Sequence, residues 1–370
     1  MNNKIFFPNL DGLRFIAFLL VFWQHTSIPL FQNLKDAGIL NESYKSWFIT
    51  GGYGVSFFFV LSGFLITYLL LNERKQHGSI NIKSFYIRRI LRIFPLYYLV
   101  VFFGFFLYPF FRQVLGTPAA DIGNFHLYAF FLGNFDIMSQ TDRPGFIGVL
   151  WSVCIEEQFY IVWALLITFL PERSYKYLFL GIILASTLFR FHFQHEERVT
   201  YFHTFSVISD LAVGGGMAYL AINHGKFIKF FEVLPKFAIV ILYAFGFTLM
   251  WIFPSLFWLD QAGYLQRLVF SLFFAFIIAE QNYATGSFYK MKKYNRSSWL
   301  GRYTYGLYML HMIALYLLNL LFRLFNVDLS DYREIILFGL MGLIISTLFS
   351  YMSYEFFEKP FLRLKRRFVV

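Results

Sequence analysis

Cysteine is all but missing from this chain. Cys154 is the only one, which excludes a disulfide framework and any zinc site built on several thiolates. Charge is scarce too: Asp, Glu, Lys and Arg make up 14% of the 370 residues, against about a quarter in a soluble domain. No internal repeat, low-complexity tract or soluble appendage is visible, so residues 1–370 are expected to form a single membrane domain. The first apolar run lacks a small-residue cleavage site, so no cleavable signal peptide is expected. What fills the chain instead is apolar and aromatic. Hydrophobic residues reach 58%, with 53 Phe and 25 Tyr, more than a soluble core could hide. The natural solvent for such a surface is lipid. The formal net charge is +11, which in a soluble protein would raise nucleic acid as a partner. Here the basic residues stand between apolar runs and read as topology signals, so no nucleic acid is expected.

A helix needs about 20 apolar residues to span about 30 Å of hydrocarbon. Such runs lie near 14–31, 52–71, 93–111, 149–170, 175–193, 201–222, 236–254, 262–281, 303–324 and 335–356. The fold class expected is therefore all-α: a polytopic transmembrane helical bundle of about ten spanning helices. The run His126–Met138 is too short for a comfortable crossing and is expected to be re-entrant or interfacial. Ten crossings put both termini on one side. Most of the basic residues, Arg74, Lys75, Lys83, Lys290, Lys292, Lys293 and the tail Arg363, Lys365, Arg366 and Arg367 among them, then share that side. By the positive-inside rule it is the cytoplasm.

Ionisable residues inside the runs are costly in lipid and mark cavities, partners or pathways. His25 lies in the first run, eleven residues after Arg14, which places it about 16 Å deeper along a helix. Asp11 just before Arg14 is expected to cap the helix start. Arg88, Arg89 and Arg92 open the third run at helical spacing, so their guanidinium groups are expected to converge on one face. Convergent arginines suit multi-phosphate ligands, while a topogenic anchor is the structural alternative. Glu156 and Glu157 are adjacent and point to different faces of their helix, so at least one should face the interior. A carboxylate beside a histidine orients its ring and raises its basicity; an interfacial pair is the alternative. A hydrogen-bonded structural role is the alternative for His25, and is the expectation for His311. His192, His195 and Glu196 carry metal-like chemistry but sit at a loop without an obvious fourth ligand, so interfacial solvation is expected and no metal site is assigned. Cys154 reads as a small packing residue.

Read together, these residues resemble the acyltransferase-3 family of bacterial membrane O-acyltransferases over nearly the whole chain. Leu10-Asp11-Gly12-Leu13-Arg14 followed by His25 is similar to the family's opening arginine-x10-histidine pattern. The segment Gly54 to Ile66 resembles its second-helix signature. Arg89 and Arg92, with Pro95 following, fit its R-x-x-R. Trp151-Ser152 through Glu156-Glu157-Gln158-Phe159-Tyr160 fits its tryptophan-serine-glutamate motif. Tyr303-Thr304-Tyr305-Gly306-Leu307-Tyr308 with His311, and Glu358-Lys359-Pro360-Phe361, resemble its closing motifs; Thr304 stands where serine is common. Each motif alone is only suggestive, and six in order are specific.

The resemblance implies an acyl-CoA donor, acetyl-CoA by default, and a carbohydrate or glycolipid acceptor in the cell envelope, with no permanently bound cofactor. It also implies the stand-alone type, in the bacterial inner membrane. In the mechanism expected, Arg88, Arg89 and Arg92, with Arg14, hold the coenzyme A phosphates. His25 is the general base and Glu156 orients it. A transient acyl-histidine is the variant left open. Asp11, Ser152, Glu157, Tyr305, His311 and Glu358 are expected in support. The rival reading is a transporter or flippase of an envelope glycan precursor, since buried His, Glu and Arg also line substrate pathways.

Overall fold

The computed structural model describes residues 7–114, 116–118, 120–139, 143–252, 263–293, 295–327, 329 and 331–368. Among these residues every regular element is helical. The long helices are α1 (Leu10–Asp36), α2 (Gly51–His77) and α3 (Ile82–Phe102). Two short helices follow, α4 (Phe125–Ala129) and α5 (Gly133–Ser139). Then come α6 (Leu150–Phe169), α7 (Tyr175–His192), α8 (Thr204–Asn223), α9 (Gly225–Glu232), α10 (Lys236–Ile252) and α11 (Gly263–Tyr283). After them come α12 (Asn295–Gly301), α13 (Thr304–Leu324) and α14 (Tyr332–Met352), which runs on through a π-helical stretch, Ser353–Glu358, into a last short α-helix, Lys359–Lys365.

All ten predicted runs fall on helices. Residues 253–254 and 262, at the ends of two of them, lie outside the described residues. Among the described residues, eight helical segments are long and apolar enough to cross a membrane alone. The number is nine if α9 and α10, which meet at a 95° bend, count as one span. Helix α7 is not in that set: Lys176 and Arg190 stand within its 18 residues. The molecule is thus a multi-pass helical membrane protein. Helices α1 and α2 overrun their predicted runs, α1 by four residues at its start and five at its end. Polar residues continue the helix past the hydrocarbon, and an apolar-run criterion cannot register them.

The chain divides into two compact units. The first comprises Met1–Ser79, Phe169–Thr200 and Phe205–Arg302, and the second Ile80–Thr168, Tyr201–Thr204 and Tyr303–Val370. In the first unit, α2 and α8 meet through two glycines. A Cβ on Gly63 would lie 2.0 Å from the Leu211 carbonyl oxygen, and one on Gly214 would lie 1.9 Å from that of Val60. Small residues let membrane helices approach to backbone contact, which dispersion then stabilises.

In the second unit, the segment expected to re-enter is a helix–break–helix. Phe131 adopts φ +57° at the break. Its neighbours are tied to α3 and α6. Tyr97 and Tyr98 donate to the carbonyls of Tyr128 and Ala129, and Gln158 Nε2 donates to that of Phe131 (2.6 Å). Below the break, buried Asp136 receives Arg143 through two bonds of 2.8 and 3.1 Å. Side chains satisfy the backbone that the break leaves unpaired, as apolar surroundings require. Cys154 is fully buried against this segment, 3.2 Å from Tyr97 Oη, as a packing residue should be.

Substituting Gly214→Val should force α2 and α8 apart and lower the thermal unfolding midpoint of the detergent-solubilised protein. Overpacking of this kind costs about 1–3 kcal/mol or more. An unchanged midpoint would show that the close approach carries no stability.

Candidate active site

The first unit carries Asp11, Arg14 and His25 on α1. Helix α1 begins at Leu10 with Asn9 at its N-cap position. Asp11 is therefore not the cap that was expected; it lies inside the first turn and pairs with Arg14 one turn on. Asn9 turns away instead, donating to the Gln281 carbonyl (2.6 Å) and accepting from the Lys292 amide (2.8 Å). The helix turn that bears His25 is clamped from both sides. Trp23 Nε1 donates to the Trp47 carbonyl at 2.9 Å, and the Gly51 amide donates to Gln24 Oε1 at 2.7 Å. Thr50 Oγ1 reaches back to the Leu20 carbonyl at 2.7 Å. These bonds fix the turn against the α1–α2 connection, and the imidazole is half-buried.

The second unit gathers most of the other expected residues. Arg89 leaves α3 between two rings, its guanidinium 5.6 Å from the Phe85 centroid and 5.7 Å from that of Tyr160 on α6. Glu157, 4% exposed, is its nearby carboxylate. Among the described residues, Arg89 Nε and Glu157 Oε1 are buried without a hydrogen-bond partner. Arg92 lies within electrostatic reach of Tyr305 and Glu358. Tyr305 donates to the Ile93 carbonyl on α3 (2.7 Å). Glu358 sits on a π-helical stretch, Ser353–Glu358, and accepts from Ser353 Oγ at 3.0 Å. Such wide turns recur at functional positions because they re-aim a side chain.

The convergence expected of the three arginines is only partial: Arg88 donates to the Phe368 carbonyl in the C-terminal tail (2.7 Å). Glu156 takes a bond from Tyr160 Oη at 3.3 Å, so the two adjacent carboxylates do face different partners. Ser152 Oγ and Tyr308 Oη lie 2.6 Å apart. His311 is fully buried, and its Nδ1 donates to the Tyr308 carbonyl at 2.8 Å, which suits the structural role expected of it. His192, His195 and Glu196 are exposed at the end of α7.

A second buried charge cluster, in the first unit, was not anticipated. Arg190 on α7 is 3% exposed. It donates to Tyr264 O (2.9 Å), to Ser186 and Ser209 hydroxyls (both 3.0 Å), and to Ser206 O. Asp210 on α8 is 0% exposed and lies 2.8 Å from Arg267 on α11. The Arg267 guanidinium also lies over the Phe59 ring at 5.8 Å. Each of these residues is a charged group inside an apolar run, and that was the signal that could have found them.

Helices that bury guanidinium and carboxylate groups in apolar surroundings define a class: a polytopic membrane protein with a polar interior. Residues 7–355 match the acyltransferase-3 family, described as an acyltransferase domain. The chain belongs to that family. It is 27% identical over 328 residues to the peptidoglycan O-acetyltransferase OatA of Listeria monocytogenes, covering 84% of this chain and 49% of that one. A Staphylococcus aureus protein carrying the name of an O-acetyltransferase is 25% identical over 96% of this chain and 57% of its own. YrhL of Bacillus subtilis, which carries the name of a peptidoglycan O-acetyltransferase, is 32% identical over 43% of this chain and 23% of its own. The chain thus spans about half the length of the first two of these relatives. No solved structure matches it.

Asp210→Leu should strand Arg267 and cost about 3–5 kcal/mol of stability, whereas Asp210→Leu with Arg267→Met should recover much of it, because replacing a buried pair with apolar groups is far cheaper than halving it. Thermal unfolding of the two single variants and the double variant measures this. Strictly additive losses would show that the pair is not coupled.

Proposed function

We propose that this protein is an O-acyltransferase of the bacterial plasma membrane. It moves an acetyl group from cytoplasmic acetyl-CoA to a hydroxyl of an extracytoplasmic or lipid-linked carbohydrate. Family membership supports the reaction class, and the relatives' names favour acetyl as the group and a peptidoglycan sugar as the acceptor. On this reading both termini are cytoplasmic, the side that most basic residues then share.

The observation that best supports a polyanionic donor is Arg89. Its guanidinium is held between two rings with Nε lacking an acceptor, and Arg92 follows one turn later. Buried polar groups seldom stay unpaired, so an acceptor from outside the protein is the natural partner. A planar guanidinium offers two parallel bonds to a phosphate, which suits the pyrophosphate and 3′-phosphate of coenzyme A. Arg14 and Arg88 are assigned to the same polyanion at its periphery.

His25 is assigned as general base. Its nitrogen takes the proton of the acceptor hydroxyl as that oxygen attacks the thioester carbonyl. The new C–O bond forms, the C–S bond breaks, and the departing thiolate collects the proton from the imidazolium. Glu156 is assigned to orient the ring and offset its positive charge. The clamped turn under His25 supports this role, since a base must be held in register with its proton.

His25→Gln should retain folding and lose about 10²–10⁴ in the rate of coenzyme A release from acetyl-CoA in the presence of acceptor. Turnover at the wild-type rate would remove the base assignment. Arg92→Ala should weaken acetyl-CoA binding about tenfold or more, as loss of a charge-assisted bond does. Unchanged affinity would remove the phosphate clamp.

A further inference from the structure

The first unit holds a partly open cavity of about 430 Å³ that the proposed chemistry does not use. It lies between α7, α8 and α11, and α9 closes one end. Small residues make the room: Gly216 on α8 and Ala279 on α11 leave a gap that larger side chains would fill. Aromatic rings, among them Phe179 and Phe276, wall it. Nothing in this interior offers a polar ligand a set of bonds. Lys176 is the one charged residue lining the cavity among the described residues, and it is exposed.

The mouth has the character of a headgroup layer. Helix α9 turns 95° from α10. Phe227 and Phe231, one turn apart, face the cavity, while Lys226 and Lys229 are exposed on the other side. That is the pattern of a helix lying flat in an interface, basic outward and aromatic inward. The start of α7 is beside it: the Tyr219 ring is 6.1 Å from that of Tyr175 and 5.6 Å from that of His224. Lys176 Nζ lies over the Tyr177 ring at 4.8 Å, a Lys–Tyr pairing typical of headgroup depth. Arg74 reaches Tyr175 Oη from α2. Glu172 and Glu232 flank this edge but do not line the cavity.

We propose that this cavity binds one anionic phospholipid, an acyl chain lying in the apolar interior and the phosphate at Lys176. The complementarity is twofold. An interior lined almost wholly by aliphatic and aromatic side chains accepts a chain and little else, and the basic mouth selects a negative headgroup over a zwitterionic one. The acyl chain bridges a gap that α7, α8 and α11 cannot close among themselves, so the lipid is a structural element of the first unit.

The test uses the purified full-length protein, equilibrated in nanodiscs of equal phosphatidylglycerol and phosphatidylcholine and then released for native mass spectrometry. The expected result is one retained lipid per chain, with phosphatidylglycerol enriched about fivefold, as one basic residue at an anionic surface gives. Lys176→Glu, at an exposed position that folding does not depend on, should abolish the enrichment. Gly216→Leu should abolish the retained lipid by filling the gap; a Cβ there meets Phe179 at an ordinary 3.7 Å. Equal retention of the two lipids by the unmodified protein, enrichment surviving Lys176→Glu, or an undiminished adduct in Gly216→Leu would each overturn the proposal.

Discussion

A guanidinium or carboxylate surrounded by apolar helices must find its partners there. The bilayer cannot solvate it, and a stranded charge costs several kcal/mol. That constraint organises both units of this protein. Arg190 is met by two serine hydroxyls and two backbone carbonyls, Asp210 by Arg267, and Asp136 by Arg143. A buried polar atom left without a hydrogen bond has capacity for a partner from outside the protein. Among the described residues, Arg89 Nε and Glu157 Oε1 are two such atoms, beside Tyr160 and Arg92, in a stretch that the family resemblance singles out independently.

The two kinds of buried charge differ in what surrounds them. The Arg190 cluster draws on hydroxyl and carbonyl groups from α7, α8 and the start of α11, and so it joins helices. Arg89 is gripped mainly by rings, which hold a guanidinium in place without using up its donors. An arginine kept in position with a donor to spare is suited to receive an anion. In the first unit, the His25 imidazole stands on a turn pinned by Trp23, Gln24 and Thr50.

Much of the fold could be read from the sequence because one physical quantity, apolar run length against bilayer thickness, decides it. All ten runs became helices. That 126–138 forms no long helix was readable for the same reason, since the run is too short to cross alone; the break at Phe131 was not. Less could be read where the outcome depends on partners distant in the chain. Arg88 shares a face with Arg89 and Arg92 on spacing grounds, yet the tail carbonyl of Phe368 takes it. Asp11 was expected at the cap but lies two residues beyond it, inside the first turn. The π-helical turn that places Glu358 has no local signature in Ser353–Glu358. Asp210 and Arg267 were visible as charges inside apolar runs, but their pairing joins helices far apart in the sequence.

The proposed role of Arg89 and Arg92 as a polyanion clamp is the central claim. The direct measurement is the affinity of the purified protein for acetyl-CoA, acetyl-3′-dephospho-CoA and acetyl-pantetheine, compared at one salt concentration. Binding should weaken at each step, about tenfold for each phosphate group that the ligand lacks, and the difference should shrink in Arg89→Met. Equal affinity for all three would contradict the clamp.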